Sequence, residues 1–339
     1  MAGRGLSFWA LAAAGLATLV VPLALTDSQL TVYVFIGLAA VVVAGLSLLM
    51  GFAGQVSLGQ AAFYAIGAYT AGILARRGLP PLLGLAGAPV FTALIATLVG
   101  LPLLRLRGHY LAFATLAFQL IVLSIIGEAR DLTGGDTGLV GIPDLSFGPF
   151  AIAGRYKAFE YAYLTWTLVM VVLVFNRNLV SSRPGRGLRA LASSEAGALS
   201  AGIAVGGYKL RVFALSAAYA GIAGAIYAFF LSYIAPGSFP ILLSIQFLVM
   251  ASVGGLGVVW GSVVGAAAIY LLAQVLVSLG SQPGMPLHAP AVLNYAVYGL
   301  VLVLVMLFLP NGLLPAIQDR LARRRAVRAT AVAVSAGSA

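Results

Sequence analysis

The segment from Gly51 to Gln60 carries the residues most able to do chemistry in this chain. Its glycines follow no helical period, and two glutamines and a serine lie between them. Such a run between two apolar segments predicts a helix that breaks beside protein or a water-filled cavity. Free main-chain N–H groups at the end of a half-helix can bind a carboxylate without a buried cation. The candidate ligand-contacting residues here are Gly51, Gly54, Gln55, Ser57, Gly59 and Gln60.

A second interrupted apolar segment, residues 247–265, occupies a comparable place in the other half of the chain. Interruptions at corresponding positions of two halves point to a transporter's midplane site, so Gly254, Gly255 and Gly257 join the candidates. Helix packing is the alternative, because Gly257, Gly261 and Gly265 recur every fourth residue and would let two helices approach closely. The sequence favours packing for these last three glycines and a broken helix for Gly51–Gln60.

The residue inventory argues against several other kinds of site. The chain has no cysteine, and His109 and His288 are its only histidines, so we expect no metal or cofactor. Its two lysines, Lys157 and Lys209, each follow a tyrosine, whereas a Walker A loop needs Gly-Lys-Ser/Thr. The sequence therefore predicts that the chain does not hydrolyse ATP itself. We also find no Ser/His/Asp set or carboxylate pair that suggests a membrane enzyme.

The elements that hold the candidate residues are predicted to be membrane-spanning helices. Of 339 residues, 62% are hydrophobic and only 8% are charged, whereas soluble domains have about 25% charged residues. About 20 apolar residues cross a hydrocarbon core as a helix. On that measure the sequence predicts an all-α polytopic transmembrane bundle of about ten spans, with broken or re-entrant helices. The predicted spans are 7–26, 30–50, 61–75, 82–104, 110–126, 159–176, 210–233, 236–253, 257–280 and 291–309.

The chain is divided into three parts on this basis. An N-terminal transmembrane helix occupies 1–29, a core occupies 30–315, and a basic, disordered tail is predicted for 316–339. The spans carry no Asp, Glu, Lys or Arg except near their ends. Ionised residues within a membrane mark proton relays and many ion pathways, so their scarcity argues against a proton-driven transporter or a cation channel. Sodium coupling through backbone carbonyls stays open.

The placement of arginines predicts the orientation. The 177–209 loop carries four arginines and Lys209 against a lone Glu195, and the tail carries five arginines. Cytoplasmic loops are enriched in such residues, so both segments and, by counting spans, both termini are predicted to be cytoplasmic. The net charge of +11 is explained in this way without nucleic acid. Arg76 and Arg77 fall outside, either as an exception or because 51–75 is re-entrant.

Several motifs resemble those of permeases from high-affinity branched-chain amino-acid ABC importers, over about residues 30–315. The order and spacing are more similar to the M-type than to the H-type permease of that pair. One departure lies at Ala192-Ser193-Ser194-Glu195, where the family usually carries an Arg-Glu-Asp-Glu-like run. The matching motifs are Gly51–Phe63 with Gly67-Ala68-Tyr69, Leu104–Tyr110 with Thr115–Phe118, Thr133–Leu139 with Gly141-Ile142-Pro143, Gly185–Ala190, Leu215-Ser216-Ala217 and Gly254-Gly255-Leu256-Gly257.

The resemblance implies a permease subunit that moves branched-chain amino acids across a bacterial inner membrane. It implies two ATP-binding subunits, a second, H-type permease and an extracytoplasmic amino-acid-binding protein as partners, with the lipid bilayer as solvent. It also implies that the cytoplasmic stretch 183–211, with a short helix at about 188–200 that ends near Gly202, seats on an ATPase. The coupling residues would be Arg186, Arg189, Glu195 and Gly202. The alternative for this stretch is an ordinary solvated, positively charged loop.

Two alternative functions stay open at this point. Related permeases share these motifs, so the same ABC mechanism could carry urea, short amides or another small solute. A secondary transporter is the more distant alternative, and the scarcity of charge within the spans argues against it.

Overall fold

The computed structural model describes residue 18, residues 20–106, 108–147 and 150–280, and the six positions 296, 297, 299, 300, 303 and 304. Within these ranges the chain is built from α-helices joined by short turns. The helices are α1 (Asp27–Ala53), α2 (Gln60–Arg76), α3 (Pro81–Leu103), α4 (His109–Glu128), α5 (Arg130–Thr133), α6 (Lys157–Ser181), α7 (Arg183–Ser193), α8 (Glu195–Ser200), α9 (Val205–Leu231), α10 (Ile241–Gly254) and α11 (Gly261–Gly280).

Two small antiparallel ladders complete the described structure. β1 (Leu139–Val140) pairs with β4 (Tyr233–Ile234), and β2 (Ser146–Phe147) pairs with β3 (Phe150–Ala151). Single 3₁₀ turns lie at Val21–Ala24, Gly135–Thr137, Gly154–Tyr156 and Pro236–Ser238.

Seven helical segments in the described part of the chain are long and apolar enough to cross a membrane. They agree to within a few residues with seven of the predicted spans, so a polytopic all-α membrane protein is confirmed. The predicted count of about ten is not supported. The segment predicted at 61–75 is α2, which has only 17 residues. The spans predicted at 7–26 and 291–309, and the tail at 316–339, lie mostly or wholly outside the described residues.

Helices α1 and α9 form the centre of the bundle, and each is 27 residues long. A helix that is apolar on all sides is buried on all sides, and most of α1 from Leu38 to Leu49 is indeed buried. A capping box at Thr26 begins α1, where the Thr26 backbone N–H donates to Gln29 Oε1 at 3.0 Å. The two helices run antiparallel, because Gly45 lies against Ser216 while the ring of Phe35 lies 5.8 Å from that of Phe230.

From the lengths and directions of the helices we infer an inverted repeat in which α1–α2–α3 corresponds to α9–α10–α11. The paired helices have 27 and 27, 17 and 14, and 23 and 20 residues. The turn after each long helix begins with a left-handed residue, Gly54 at φ 64° and Ser232 at φ 56°. The turn before the third helix holds another, Gly78 at φ 84° and Gly257 at φ 78°. Inverted repeats of this kind are common in transporters, with the substrate site at the repeat interface.

The repeat corrects one expectation. The interruptions at 51–60 and 254–257 were predicted to occupy comparable places in the two halves, but 54–59 corresponds to 232–240, and 255–260 corresponds to 77–80. The two predicted interruptions nevertheless meet in space, because a Cβ added to Gly51 would overlap the backbone of Gly257. They are neighbours rather than counterparts.

The second helix of each repeat is a half-helix that begins within the bundle. Gln60, the first residue of α2, bonds to Ser216, which lies 11 residues after the start of α9 at Val205. At 1.5 Å per residue that position is about 16 Å from the end of α9. The contacts of α2 then follow α9 in parallel, from Ser216 to the neighbourhood of Gly221. Helix α2 therefore carries the chain back to the end at which α1 began, and Arg76 lies there.

The turns of the bundle divide between two ends. The arginine-rich segment 177–209 lies at one end, where Gly100 of α3 also packs against Phe213 near the start of α9. The other end holds the β1–β4 ladder and an ion pair in which Lys157 Nζ lies 2.6 Å from Asp144 Oδ1. Arg76 and Arg77 share this second end. The structure thus places this pair at the end opposite to the arginine-rich segment, as the count of spans predicted.

Candidate translocation site and docking surface

The break after α1 is real, as the sequence predicted. Gly54 adopts a left-handed conformation that favours glycine, and the N–H groups of Gly54 and Gln55 both donate to the carbonyl of Leu49. The chain then runs without helix until α2 begins at Gln60. Gly59 allows close packing instead, since a Cβ added there would lie 2.7 Å from the carbonyl oxygen of Thr115. The break is thus held against the protein interior.

Three amide groups at or beside the break have hydroxyl partners, whereas the sequence predicted free N–H groups there. The N–H of Leu58 donates to Thr115 Oγ1 at 2.9 Å, and the N–H of Ala61 donates to Ser244 Oγ at 2.9 Å. The N–H of Gly59 donates to Ser57 Oγ at 3.4 Å. Hydroxyl groups of two distant residues, Thr115 and Ser244, and of Ser57 within the break therefore occupy these main-chain donors.

Two side-chain carbonyl oxygens in the break have no hydrogen-bond partner. The Oε1 atoms of Gln55 and Gln60 are buried without a hydrogen-bond partner in the structure, and these side chains are 3% and 0% exposed. The Nε2 atom of Gln60 donates to Ser216 Oγ at 3.0 Å, which fixes the amide. An unpaired buried carbonyl costs free energy unless a donor reaches it. The break is thus better suited to an ammonium or N–H group than to an anion.

We use the term polar node for Gln60, Thr115, Gln119, Ser216 and Ser244, which surround the start of α2. Ser244 lies in α10 and donates to Gln119 Oε1 at 2.6 Å. Gln119 in turn donates through Nε2 to the carbonyls of Phe239 and Pro240, at 3.3 and 3.2 Å. The node therefore joins the starts of both half-helices at mid-depth in the bundle. The sequence analysis placed only Gln60 of these five in its candidate set.

Replacing Ser244 with alanine is expected to destabilise the protein by about 2 kcal/mol. The change removes the acceptor of the Ala61 N–H and the donor to Gln119, and it leaves both groups buried. Thermal unfolding of the purified protein in detergent measures the effect. Ser181→Ala is the matched control, because Ser181 is exposed and its hydroxyl donates within its own helix to the carbonyl of Asn178 at 3.1 Å. Equal unfolding midpoints for the two variants would contradict the bonds of the polar node.

The second candidate set lies at the arginine-rich end of the bundle and not at mid-depth. Helix α10 ends at Gly254, and Gly257 lies in the turn before α11 with φ 78°. The packing interpretation is confirmed for Gly261 and Gly265, whose added Cβ atoms would meet the backbone of Gly254 and Met250. It is wrong for Gly257, which is not helical and faces Gly51. The nine predicted pathway residues thus separate into a group near Gly51 and a group that leads into the polar node.

The predicted coupling helix is two helices. The sequence predicted one helix at about 188–200, but α7 and α8 divide at Ser194, whose hydroxyl accepts the N–H of Gly197 at 3.1 Å and begins α8. Gly202 follows with φ 77°, and its N–H donates to the carbonyl of Leu199. Each of the two short helices has its own N-terminal serine cap. Together they lie at the end of the bundle, and we call the segment from Arg183 to Gly202 the hairpin.

The hairpin is firmly attached on its inner side. Leu188, Leu191 and Ala198 are buried against the bundle. Lys209 Nζ lies 3.0 Å from Glu195 Oε2, and the side chains of this pair are 11% and 34% exposed. Glu195 is thus tied to the first turns of α9. Its pairing has a structural role that the sequence did not reveal.

The outer side of the hairpin is exposed and made mainly of small residues. Arg186 and Arg189 point outward from α7, and Leu199, 56% exposed, is the largest apolar residue of α8. We call this the docking surface; its other exposed members are Ala192, Ser193, Ser194, Ala196, Gly197, Ser200, Ala201 and Gly202. Small side chains held on capped helices lose little conformational entropy on binding. Such a surface is better suited to docking in the groove of a soluble partner than to contact with solvent alone.

Comparison with known proteins places this sequence in a family. Residues 25–306 match the sequence model described as "Branched-chain amino acid transport system / permease component". The chain is 30% identical over 313 residues to the high-affinity branched-chain amino acid transport system permease protein LivM of Escherichia coli K12, and to LivM of Salmonella typhimurium, over 86% of this chain and 69% of each relative.

A more distant relative comes from an archaeon. The probable branched-chain amino acid transport permease protein LivM of Methanocaldococcus jannaschii is 26% identical over 250 residues, which cover 69% of this chain and 70% of that protein. The matched region of the family contains the inverted repeat, the polar node and the docking surface. The chain therefore belongs to the family of permease components of branched-chain amino acid transport systems.

Proposed function

We propose that this chain is the M-type permease subunit of an ABC importer that brings leucine, isoleucine and valine into the cytoplasm. Membership of the family carries the proposal, supported by relatives named as branched-chain amino acid permeases at 30% identity. The geometry agrees, because two half-helices begin at mid-depth and share the polar node, where the N–H of Ala61 meets Ser244 Oγ at 2.9 Å. Transporters place their substrate sites where such discontinuous helices meet.

The energy for import comes from two ATP-binding subunits that dock on the docking surface. The sequence lacks a Walker A motif, so the nucleotide is bound elsewhere in the complex. Arg186 and Arg189 supply the charged contacts, and Gly202 ends the hairpin that enters the partner's groove. Glu195 acts differently, since its bond to Lys209 fixes the hairpin to α9. Closure of the ATPases moves the hairpin, and α9 transmits that motion to the polar node.

The remaining partners complete the pathway. An H-type permease pairs with this chain, and an extracytoplasmic binding protein delivers the amino acid at the end that holds the β1–β4 ladder. The substrate passes Gln55, Ser57 and Gln60 before it leaves at the level of Gly51 and Gly254–Gly257. In this orientation the docking surface and both termini face the cytoplasm of a bacterial inner membrane.

Reconstituted transport tests the function. The chain is incorporated in proteoliposomes with its H-type permease and ATP-binding subunits, and the binding protein and radiolabelled leucine are added on the opposite side from ATP. We expect leucine uptake that requires both ATP and the binding protein and that excess isoleucine or valine suppresses. Suppression by urea or acetamide, with none by isoleucine, would assign a different cargo. Uptake that follows a sodium or proton gradient without ATP would overturn the ABC mechanism.

A further inference from the structure

A cavity of about 260 Å³ lies where the two repeats cross. Five helices and one turn contribute its walls: Phe35 from α1, Tyr64 from α2, Tyr227 from α9, Ser238 from the turn before α10, Phe247 from α10 and Tyr270 from α11. An apolar cavity of about 150 Å³ is enough to bind benzene. At about 30 Å³ for each water-sized group, this one has room for a molecule the size of one aliphatic amino acid.

The walls of the cavity are aromatic with a few hydroxyl groups. The ring of Tyr64 lies 5.4 Å from that of Tyr227 and 6.0 Å from that of Phe247, measured between centroids. Among the described residues that line it, none is acidic or basic, and Ala39 and Leu243 complete the apolar wall. Such a lining favours an uncharged aliphatic group, and the ring faces also attract a nearby ammonium.

The polar node lies directly beside this cavity. Gln60 is four residues before Tyr64 on α2, so the two side chains share a face of the helix about 6 Å apart along its axis. On α10, Ser244 follows Leu243 and precedes Phe247 by three residues, so the node and the cavity are neighbours on this helix also. Gln60, whose Oε1 has no hydrogen-bond partner in the structure, therefore lies one helical turn from Tyr64 of the cavity wall.

We propose that this cavity binds the aliphatic side chain of the transported amino acid within the membrane, with the ammonium group directed to Gln60 Oε1. The assignment rests on the function proposed above and adds a place within the chain where the substrate pauses. A polar acceptor and an apolar cavity, one helical turn apart, match the two parts of leucine, isoleucine or valine. The donor that Gln60 Oε1 lacks is supplied by the substrate.

Photolabelling tests the assignment directly. Photoleucine, the diazirine analogue of leucine, is delivered by the binding protein to the full complex in proteoliposomes and irradiated, and the labelled residues are located by mass spectrometry. We expect adducts on Phe35, Tyr64, Tyr227 or Phe247 that excess leucine prevents. Adducts confined to other parts of the chain in a transporting complex would overturn the proposal. So would cavity adducts that leucine does not prevent, because they would indicate a lipid or an adventitious occupant.

A cavity-filling variant provides the second arm. Ala39→Leu adds an apolar side chain to the wall, and one extra methylene in a hydrophobic pocket can change a rate constant about tenfold or more. We expect at least that loss of leucine uptake and the loss of the photoleucine adducts. Ala86→Leu is the matched control, since Ala86 is exposed on α3. Full uptake by folded Ala39→Leu would refute the cavity site alone, whereas no ATP-dependent uptake by the native complex would refute the proposed function.

Discussion

Gly67→Ala is expected to lower the unfolding midpoint and the yield of folded protein. Gly67 of α2 lies against Gly221 of α9, and a Cβ added there would overlap the main chain of Gly221. An overlapped side chain could rotate away, but here the overlapped atoms belong to the main chain. Helices α2 and α9 would therefore have to move apart. Overpacking costs about 1–3 kcal/mol and more when backbone must move, out of a total of about 5–15 kcal/mol. Size-exclusion chromatography and thermal unfolding in detergent measure the loss.

A matched alanine variant separates this effect from the general effect of replacing a helical glycine. Gly87 lies within α3, and a Cβ there would meet only Leu74 Cδ1 at 3.7 Å, an ordinary contact. Alanine stabilises a helix interior by roughly 0.5–1 kcal/mol relative to glycine, so Gly87→Ala should fold as well as the native chain or better. If Gly67→Ala gave the same yield and unfolding midpoint as Gly87→Ala, the close crossing of α2 and α9 would be wrong.

Reversing the charge of the docking surface is expected to abolish most ATP-dependent uptake without unfolding the chain. The variant is Arg186→Glu combined with Arg189→Glu, because both side chains are exposed on α7 and the buried face of that helix is untouched. Removing one partner of a buried interfacial charge pair costs about 2–5 kcal/mol, which corresponds to a loss of affinity of at least about tenfold. Leucine uptake and co-purification of the ATP-binding subunits report the effect.

The control for this variant is Arg155→Glu, which reverses an exposed charge at the opposite end of the bundle. It should leave ATPase binding unchanged. Glu195 is a poorer probe, since its replacement breaks the 3.0 Å bond to Lys209 and loosens the hairpin itself. Native levels of uptake and of bound ATPase in the Arg186/Arg189 variant would contradict the docking surface.

The broken helix at 51–60 was predictable from the sequence because its cause is local. Aperiodic glycines with two glutamines and a serine do not form a stable apolar helix, and the structure breaks there. One predicted span ends at 233 and the next begins at 236, so the turn at 232–240 was interpreted as an ordinary loop and not as the counterpart of 54–59. Its short half-helix α10 is visible only when the repeat is seen in three dimensions. Hydropathy indicates whether a segment lies in lipid or in water, but it does not indicate in which direction the helix runs.

The polar node was not predictable, because its bonds connect distant residues. Leu58 bonds to Thr115 across 57 positions, Gln60 to Ser216 across 156, and Ala61 to Ser244 across 183. A single hydroxyl in an apolar helix is as often bonded to its own backbone, as Thr97 is to Ala93. For the same reason the sequence could not show that hydroxyl groups occupy the N–H groups of Leu58, Gly59 and Ala61.

Helix α9 links the two faces of the membrane as a stiff rod about 40 Å long. Near its first turns Lys209 holds Glu195, and just beyond its last residue Ser232 accepts a hydrogen bond from Lys157 at 2.8 Å. A tilt imposed on the hairpin by a nucleotide-driven partner would therefore reach Lys157 and Asp144 mechanically, without a change of fold along the way. A binding protein in contact with that ion pair would then respond to the nucleotide state of the partner through the movement of one helix, α9.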